Sequence, residues 1–153
     1  MRRLIKTTFF LYAAAVVAIT IFPIRVRSAA YWTGEPWWTV LRWIPGEVDA
    51  PSFVLNVIMF VPLGVLLPLL RPALDDVRRL ALLAGTASLG IETTQFLLGI
   101  TLGSRRTVDV NDLIANAAGA VAGLLILRLA VPARGHRAGF GAESPSSPPP
   151  PGA

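Results

Sequence analysis

Four runs of apolar residues, at about 7–24, 53–70, 80–100 and 113–131, set the terms on which this chain can fold. Each falls within the roughly 17–25 residues that an α-helix needs to cross the hydrocarbon core of a bilayer. In lipid there is no water to pair with the backbone, so a run that enters the core must satisfy its own N–H and C=O groups, and a helix does so within one segment. The predicted fold class is all-α: a polytopic membrane protein, a four-helix transmembrane bundle. Composition agrees with it. Hydrophobic residues make up 54% and charged residues 15% of the 153 positions, too little charge to clothe a soluble domain of this size. The bundle is predicted to occupy residues 1–134 as one domain. From Gly135 onward Gly, Ser and Pro dominate, ending in the four prolines Pro148 to Pro151. That composition buries no core, so residues 135–153 are predicted to be a disordered cytoplasmic tail.

A formal charge of +5 raises the question of nucleic acid. The basic residues stand at the ends of the apolar runs, where topology rather than phosphate binding places them, so the expected partner is the lipid bilayer and no nucleic acid. One side carries Arg2, Arg3, Lys6, Arg71, Arg78, Arg79, Arg128, Arg134 and Arg137; the other carries Arg25, Arg27, Arg42, Arg105 and Arg106. The richer side faces the cytoplasm by the positive-inside rule, which predicts a multi-pass protein of the cell membrane with both termini cytoplasmic. Arg2, Arg3 and Lys6 ahead of an apolar run also look like a secretory signal. Pro23, Arg25 and Arg27 follow that run in place of a small-residue cleavage site, and a retained helix is predicted. All four tryptophans, Trp32, Trp37, Trp38 and Trp43, fall in the first outer loop. Trp favours the headgroup zone, so residues 36–44 are either a short interfacial helix or a loop resting on the membrane. Cysteine is absent and the single His136 lies in the tail, so no metal site, cofactor or catalytic residue is assigned.

Polar residues inside spanning helices are costly, and each asks for a reason. On the third run Gly85, Ser88, Glu92, Gln95 and Gly99 recur at spacings of 3, 4, 3 and 4, which places them on one helical face. On the fourth, Asp109, Asp112, Asn116, Gly119 and Gly123 repeat that spacing. The second run contributes Asn56, with Gly64 two turns on. Small residues let helices approach and polar residues bond across the contact, and a short connection makes the third and fourth helices antiparallel neighbours whose stripes can face each other. Glu92 lies eight residues before Ile100, about 12 Å below the outer end of its helix at 1.5 Å per residue, so the polar groups converge on one level in the outer part of the bilayer. Gly64, Gly85, Gly119 and Gly123 are the expected packing positions, and Asn56, Glu92, Gln95, Arg106, Asp109, Asp112 and Asn116 the expected ligand-binding or functional cluster. Plain helix glue is the competing explanation, and it suits the glycines and amides better than the acid. An acid at a helix centre costs about 2.5–3.5 kcal/mol on insertion scales, relieved by protonation or by pairing with Arg105 or Arg106.

Two blocks of these residues resemble the VanZ-like family. The first runs from Asn56 through Phe60 and Pro62 to Gly64, followed by Leu67 and Pro68. The second joins Glu92 and Gln95 to Arg106, Asp109, Asp112, Asn116, Gly119 and Gly123. The family takes its name from a protein of glycopeptide-resistance clusters that raises teicoplanin resistance. The resemblance implies a cell-envelope role and a link to antibiotic resistance; it implies no reaction, and it leaves the tryptophan-rich loop and the proline tail without support. Three functions remain in play. The first is a non-enzymatic protein whose outward-facing polar cluster binds or shields a lipid-linked cell-wall precursor or a glycopeptide antibiotic. The second is an intramembrane enzyme acting on a lipid through Glu92, Asp109 and Asp112. The third is a scaffold or transport component with Glu92 as a proton-linked residue, ranked last because polar groups on one side only make no through-path. Oligomeric state is not legible.

Overall fold

The structure is a computed structural model, and it describes residues 2–22, 36–102 and 107–131. Four helices carry the fold: α1 (Arg2–Ile21), α2 (Ala50–Leu70), α3 (Val77–Leu102) and α4 (Val110–Ala130). Two short strands, β1 (Leu41–Arg42) and β2 (Val108–Asp109), pair in parallel, Leu41 opposite Val108 and Arg42 opposite Asp109. Helices α1, α2 and α4 are long and apolar enough to cross a membrane. At 26 residues α3 has the length, but it includes Arg78, Arg79 and Glu92.

The helices are all longer at their N-terminal ends than the apolar runs, because a helix tolerates polar residues in its first turn that a hydropathy pattern discards. The shift matters most for α4. It begins at Val110 with Asp109 as N-cap, whose carboxylate accepts the N–H of Asn111 at 2.9 Å, and Asp112 then falls in the first turn, where the helix dipole favours a negative charge. At the far end of the bundle Asp76 accepts the N–H of Arg79 at 2.8 Å and so caps the start of α3. There Arg128, near the end of α4, pairs with Asp75 at 2.8 Å.

Helix α4 is the centre of the molecule and packs most extensively on α2, then on α3. Helices α2 and α4 run parallel in contact: Gly119 lies against Val57, Gly123 against Val61, and Gly64 against Ala120. At each of these three glycines an added Cβ would overlap a backbone carbonyl of the other helix, so this is backbone on backbone, as small residues permit. Two expectations change here. The α4 glycines face α2, not α3. Gly85, expected to pack, has nothing within 4 Å of where its Cβ would sit. The buried residues of α3 instead include Leu80, Ala84, Ser88 and Glu92, a row at four-residue spacing, which puts Ala84 rather than Gly85 against the neighbours.

An apolar core of Phe60, Leu63, Leu67, Leu80, Ala84, Ala120 and Leu124 fills the contact of α2, α3 and α4. Outside it the surface is apolar too: Phe10, Leu11, Ile19 and Leu129 are each more than two-thirds exposed. A water-facing protein does not carry such a continuous apolar belt, and a lipid-facing one requires it. Helix α1 lies outside this trio, with Phe9 and Tyr12 packed against the core and Val16 buried, and polar contacts add to its hold. The Tyr12 hydroxyl donates to the Met59 carbonyl at 2.7 Å, on the turn of α2 that contains Pro62. Gln95 of α3 donates to the Thr20 carbonyl at 2.8 Å.

The stretch 36–44 forms no interfacial helix. A single 3₁₀ turn, Trp37–Val40, leads into β1, because Leu41 and Arg42 are drawn into pairing with β2. Trp38 and Trp43 are both exposed. The expected positions of Trp32, Arg25, Arg27, Arg105, Arg106 and the 135–153 tail lie outside the described residues.

Candidate functional site

The polar residues collect at the end of the bundle where β1 and β2 pair. The loop from β1 to α2 turns at Pro45 and Gly46, with Gly46 at φ +99°, the left-handed conformation that a Pro-Gly turn assigns to glycine. Asn111, 3% exposed, fastens this loop. Its side-chain oxygen accepts the Gly46 N–H at 2.9 Å, and its amide nitrogen donates to the carbonyls of Ile44 and Glu47 at 3.3 Å and to Asp109 at 2.8 Å. The loop thus hangs from the first turn of α4, and Arg42, Glu47 and Asp49 come to stand beside Asp109 and Asp112.

Below the loop α3 meets α4. The Glu92 carboxylate takes the backbone N–H of Asp109 and neighbours the carboxyl of Asp112. Asn56 of α2 bonds to Asp112, and the Arg42 guanidinium stands close enough to act on it. One turn further along the same contact, Asn116 donates to the Ser88 hydroxyl at 2.8 Å, with both residues buried. Glu92 Oε2 and Asn116 Oδ1 are enclosed and accept no hydrogen bond among the described residues. Buried acceptors left open in this way are rare in proteins and cost free energy.

Of the predicted cluster, Asn56, Glu92, Asp109 and Asp112 come into one network, Asn116 sits a turn deeper with Ser88, and Gln95 turns aside to α1. Arg106, expected as a partner of Glu92, lies outside the described residues; the described neighbours of Glu92 are the Asp109 N–H and the Asp112 carboxyl. Sequence reasoning missed Asn111 and Arg42. Asn111 is off the stripe of α4, so helical spacing passes over it; its one local signal is the Asp-x-Asn start of a helix, which offers two capping side chains where one suffices. Arg42 is set in place by a pairing 67 positions away along the chain.

Together these elements line an open cleft of about 1150 Å³ between the ends of α1, α2 and α4 and the β1–α2 loop. Ile19, Phe53, Leu55, Ile58 and Met59 are among its apolar lining residues, and Arg42, Glu47, Asp49, Asn56, Asp109 and Asp112 among its polar ones. Among the described residues no group of three potential metal ligands is arranged to hold an ion.

No match to the chain is found among curated proteins or solved structures. A family does match. The VanZ/LLP1 family model covers residues 9–131, which takes in all four helices from the ninth residue, both strands and every residue of the network just described. With its three membrane-length apolar helices, the chain is a VanZ-like membrane protein and belongs to the VanZ/LLP1 family.

Proposed function

We propose that the protein crosses the cell membrane four times with both termini cytoplasmic, and that its outward-facing cleft binds a cell-envelope component, a lipid-linked cell-wall precursor or a glycopeptide. One observation carries this: the cleft is lined both by apolar residues, of which Ile19, Leu55 and Ile58 are also exposed on the outer surface of α1 and α2, and by carboxylates, amides and a guanidinium. An amphiphile lying at the bilayer surface presents both kinds of group. The Arg42 guanidinium suits a phosphate or carboxylate through its planar fork of donors, and Asn56 and Asp112 suit sugar or peptide groups. Protein in nanodiscs should bind teicoplanin or a lipid-linked precursor saturably, with affinity falling about tenfold, the loss of one charge-assisted hydrogen bond, in Asp112→Asn. Failure to bind either molecule in nanodiscs and in detergent refutes the proposal. Removing the gene should then change sensitivity to teicoplanin.

The second reading, an enzyme acting on a lipid, draws on the adjacent carboxyls of Glu92 and Asp112, an arrangement used for acid–base work. Against it, Glu92 is 3% exposed and has no open face to a substrate. Turnover of a lipid by the wild type that Glu92→Gln abolishes would reverse this order.

A further inference from the structure

The loop between β1 and α2 divides its side chains by polarity. Arg42, Glu47 and Asp49 line the cleft. Trp43 and Ile44 are not among the lining residues, and they are 71% and 58% exposed. An apolar side chain on a loop enters a membrane only together with its backbone. The N–H and C=O groups there then lose their water and need partners within the protein. Beside Trp43 and Ile44 such partners are present. Asn111 accepts the Gly46 N–H at 2.9 Å and donates to the carbonyls of Ile44 and Glu47 at 3.3 Å. Pro45, between them, has no N–H to satisfy, and Arg42, just before them, is paired with Asp109 in the strand ladder. Exposed apolar side chains on a turn whose polar backbone groups are engaged from within suit a surrounding that is apolar on one side and wet on the other.

We infer that the turn at 43–46 is seated in the interfacial zone of the bilayer, with Trp43 and Ile44 inserted where headgroups meet acyl chains. Asn111 makes the insertion possible by pairing backbone groups of the turn that would otherwise hold water. Trp suits that depth, because its ring is apolar and its N–H finds a partner among the headgroups. A protein partner is a poorer fit: two side chains fall far short of the roughly 20 residues that a stable interface takes from each side. Arg42, next along the chain, then lies at headgroup depth, and that edge of the cleft opens beside lipid. The seat of the turn does not depend on what the cleft binds.

The chain has no cysteine, so a nitroxide attached at Ile44→Cys reports a single position. Full-length protein in phosphatidylcholine nanodiscs is labelled there and, as a lipid-facing reference, at Leu11→Cys on the exposed side of α1. Power saturation compares collisions with oxygen, which concentrates in lipid, and with a neutral nickel chelate, which stays in water. Oxygen should dominate at both positions. Asn111→Ala should reverse the preference at Ile44→Cys and leave it at Leu11→Cys, because the freed carbonyls of Ile44 and Glu47 and the Gly46 N–H draw the turn into water. Trp43→Glu charges the turn without removing Asn111; it should reverse the preference too, and it stands in should Asn111→Ala not fold. A label at Ile44→Cys that meets the nickel chelate more than oxygen, while the reference reads lipid, overturns the insertion. A label there that meets neither, and is broadened by a second label, overturns it in favour of contact between two copies. Oxygen still dominant at Ile44→Cys in a folded Asn111→Ala overturns the part given to Asn111.

Discussion

Helix α4 presents two unlike faces to its neighbours. Toward α2 it offers Gly119, Ala120 and Gly123, and along this stretch the contact is one of backbone against backbone, so close that an added Cβ would overlap a carbonyl. Toward α3 it offers Asp112 and Asn116, and the contact is a chain of carboxyls, amides and the Ser88 hydroxyl with two acceptors left open. In a membrane neither face gains from excluding water, since lipid is as apolar as the helix. The α2 face therefore relies on closeness and the α3 face on polar pairing. The two faces thus hold α4 to its neighbours by different means.

Substitutions break the first face hardest. Gly119→Leu or Gly123→Leu should cost about 3 kcal/mol, the upper end of overpacking penalties, because even the Cβ meets a carbonyl of Val57 or Val61. Loss of the folded protein in a denaturant titration in mixed micelles is the expected outcome; wild-type behaviour would mean that α2 and α4 do not touch as described. Asn116→Leu removes the bond to Ser88 and should cost less, about 1–2 kcal/mol as for interhelical hydrogen bonds in model peptides, measured by the same titration. A loss equal to that of the glycine variants would erase the distinction between the faces.

A smaller effect is expected at the acid pair. Glu92→Gln and Asp112→Asn each relieve the opposition of two carboxyls, so the double variant should be less stable than the two single changes added together, with a coupling of about 1 kcal/mol, within the range for residues in one network. Thermal unfolding of the four proteins in detergent closes this cycle. A coupling of zero would place the carboxyls apart. Smallest of all, Gly85→Ala should change stability by less than about 0.5 kcal/mol, as surface substitutions do, since the added methyl meets nothing.

The number and order of the helices, and the residues around which the polar network forms, were legible because burial in lipid imposes a length on helices and a reason on every polar residue within them. Asn56, Glu92, Asp109 and Asp112 stood out on those grounds and meet in the structure. The glycine spacing of α4 was legible as a packing face but not its direction, since a stripe carries no information on which neighbour it meets. Gly85 failed for a related reason: at 3-and-4 spacing it shares a face with Ser88, yet the contact follows the four-residue row through Ala84. Asn111 and Arg42 depend on a loop hanging from a helix far along the chain, and no local pattern specifies that.

The strand pair sets the order in which the molecule can be assembled. Leu41 cannot meet Val108, nor the Gly46 N–H meet Asn111, until α2 and α3 have both been synthesised. Closing so long a loop carries an entropic cost that grows slowly with length, and here a short ladder and one asparagine side chain must offset it. As the chain emerges, α2 waits with half of a cleft until the first turn of α4 arrives to complete it. The cleft closes only with that turn, so a nascent chain halted before Val108 would carry two of the three central helices and a cleft still lacking the side formed by Asp109, Asn111 and Asp112.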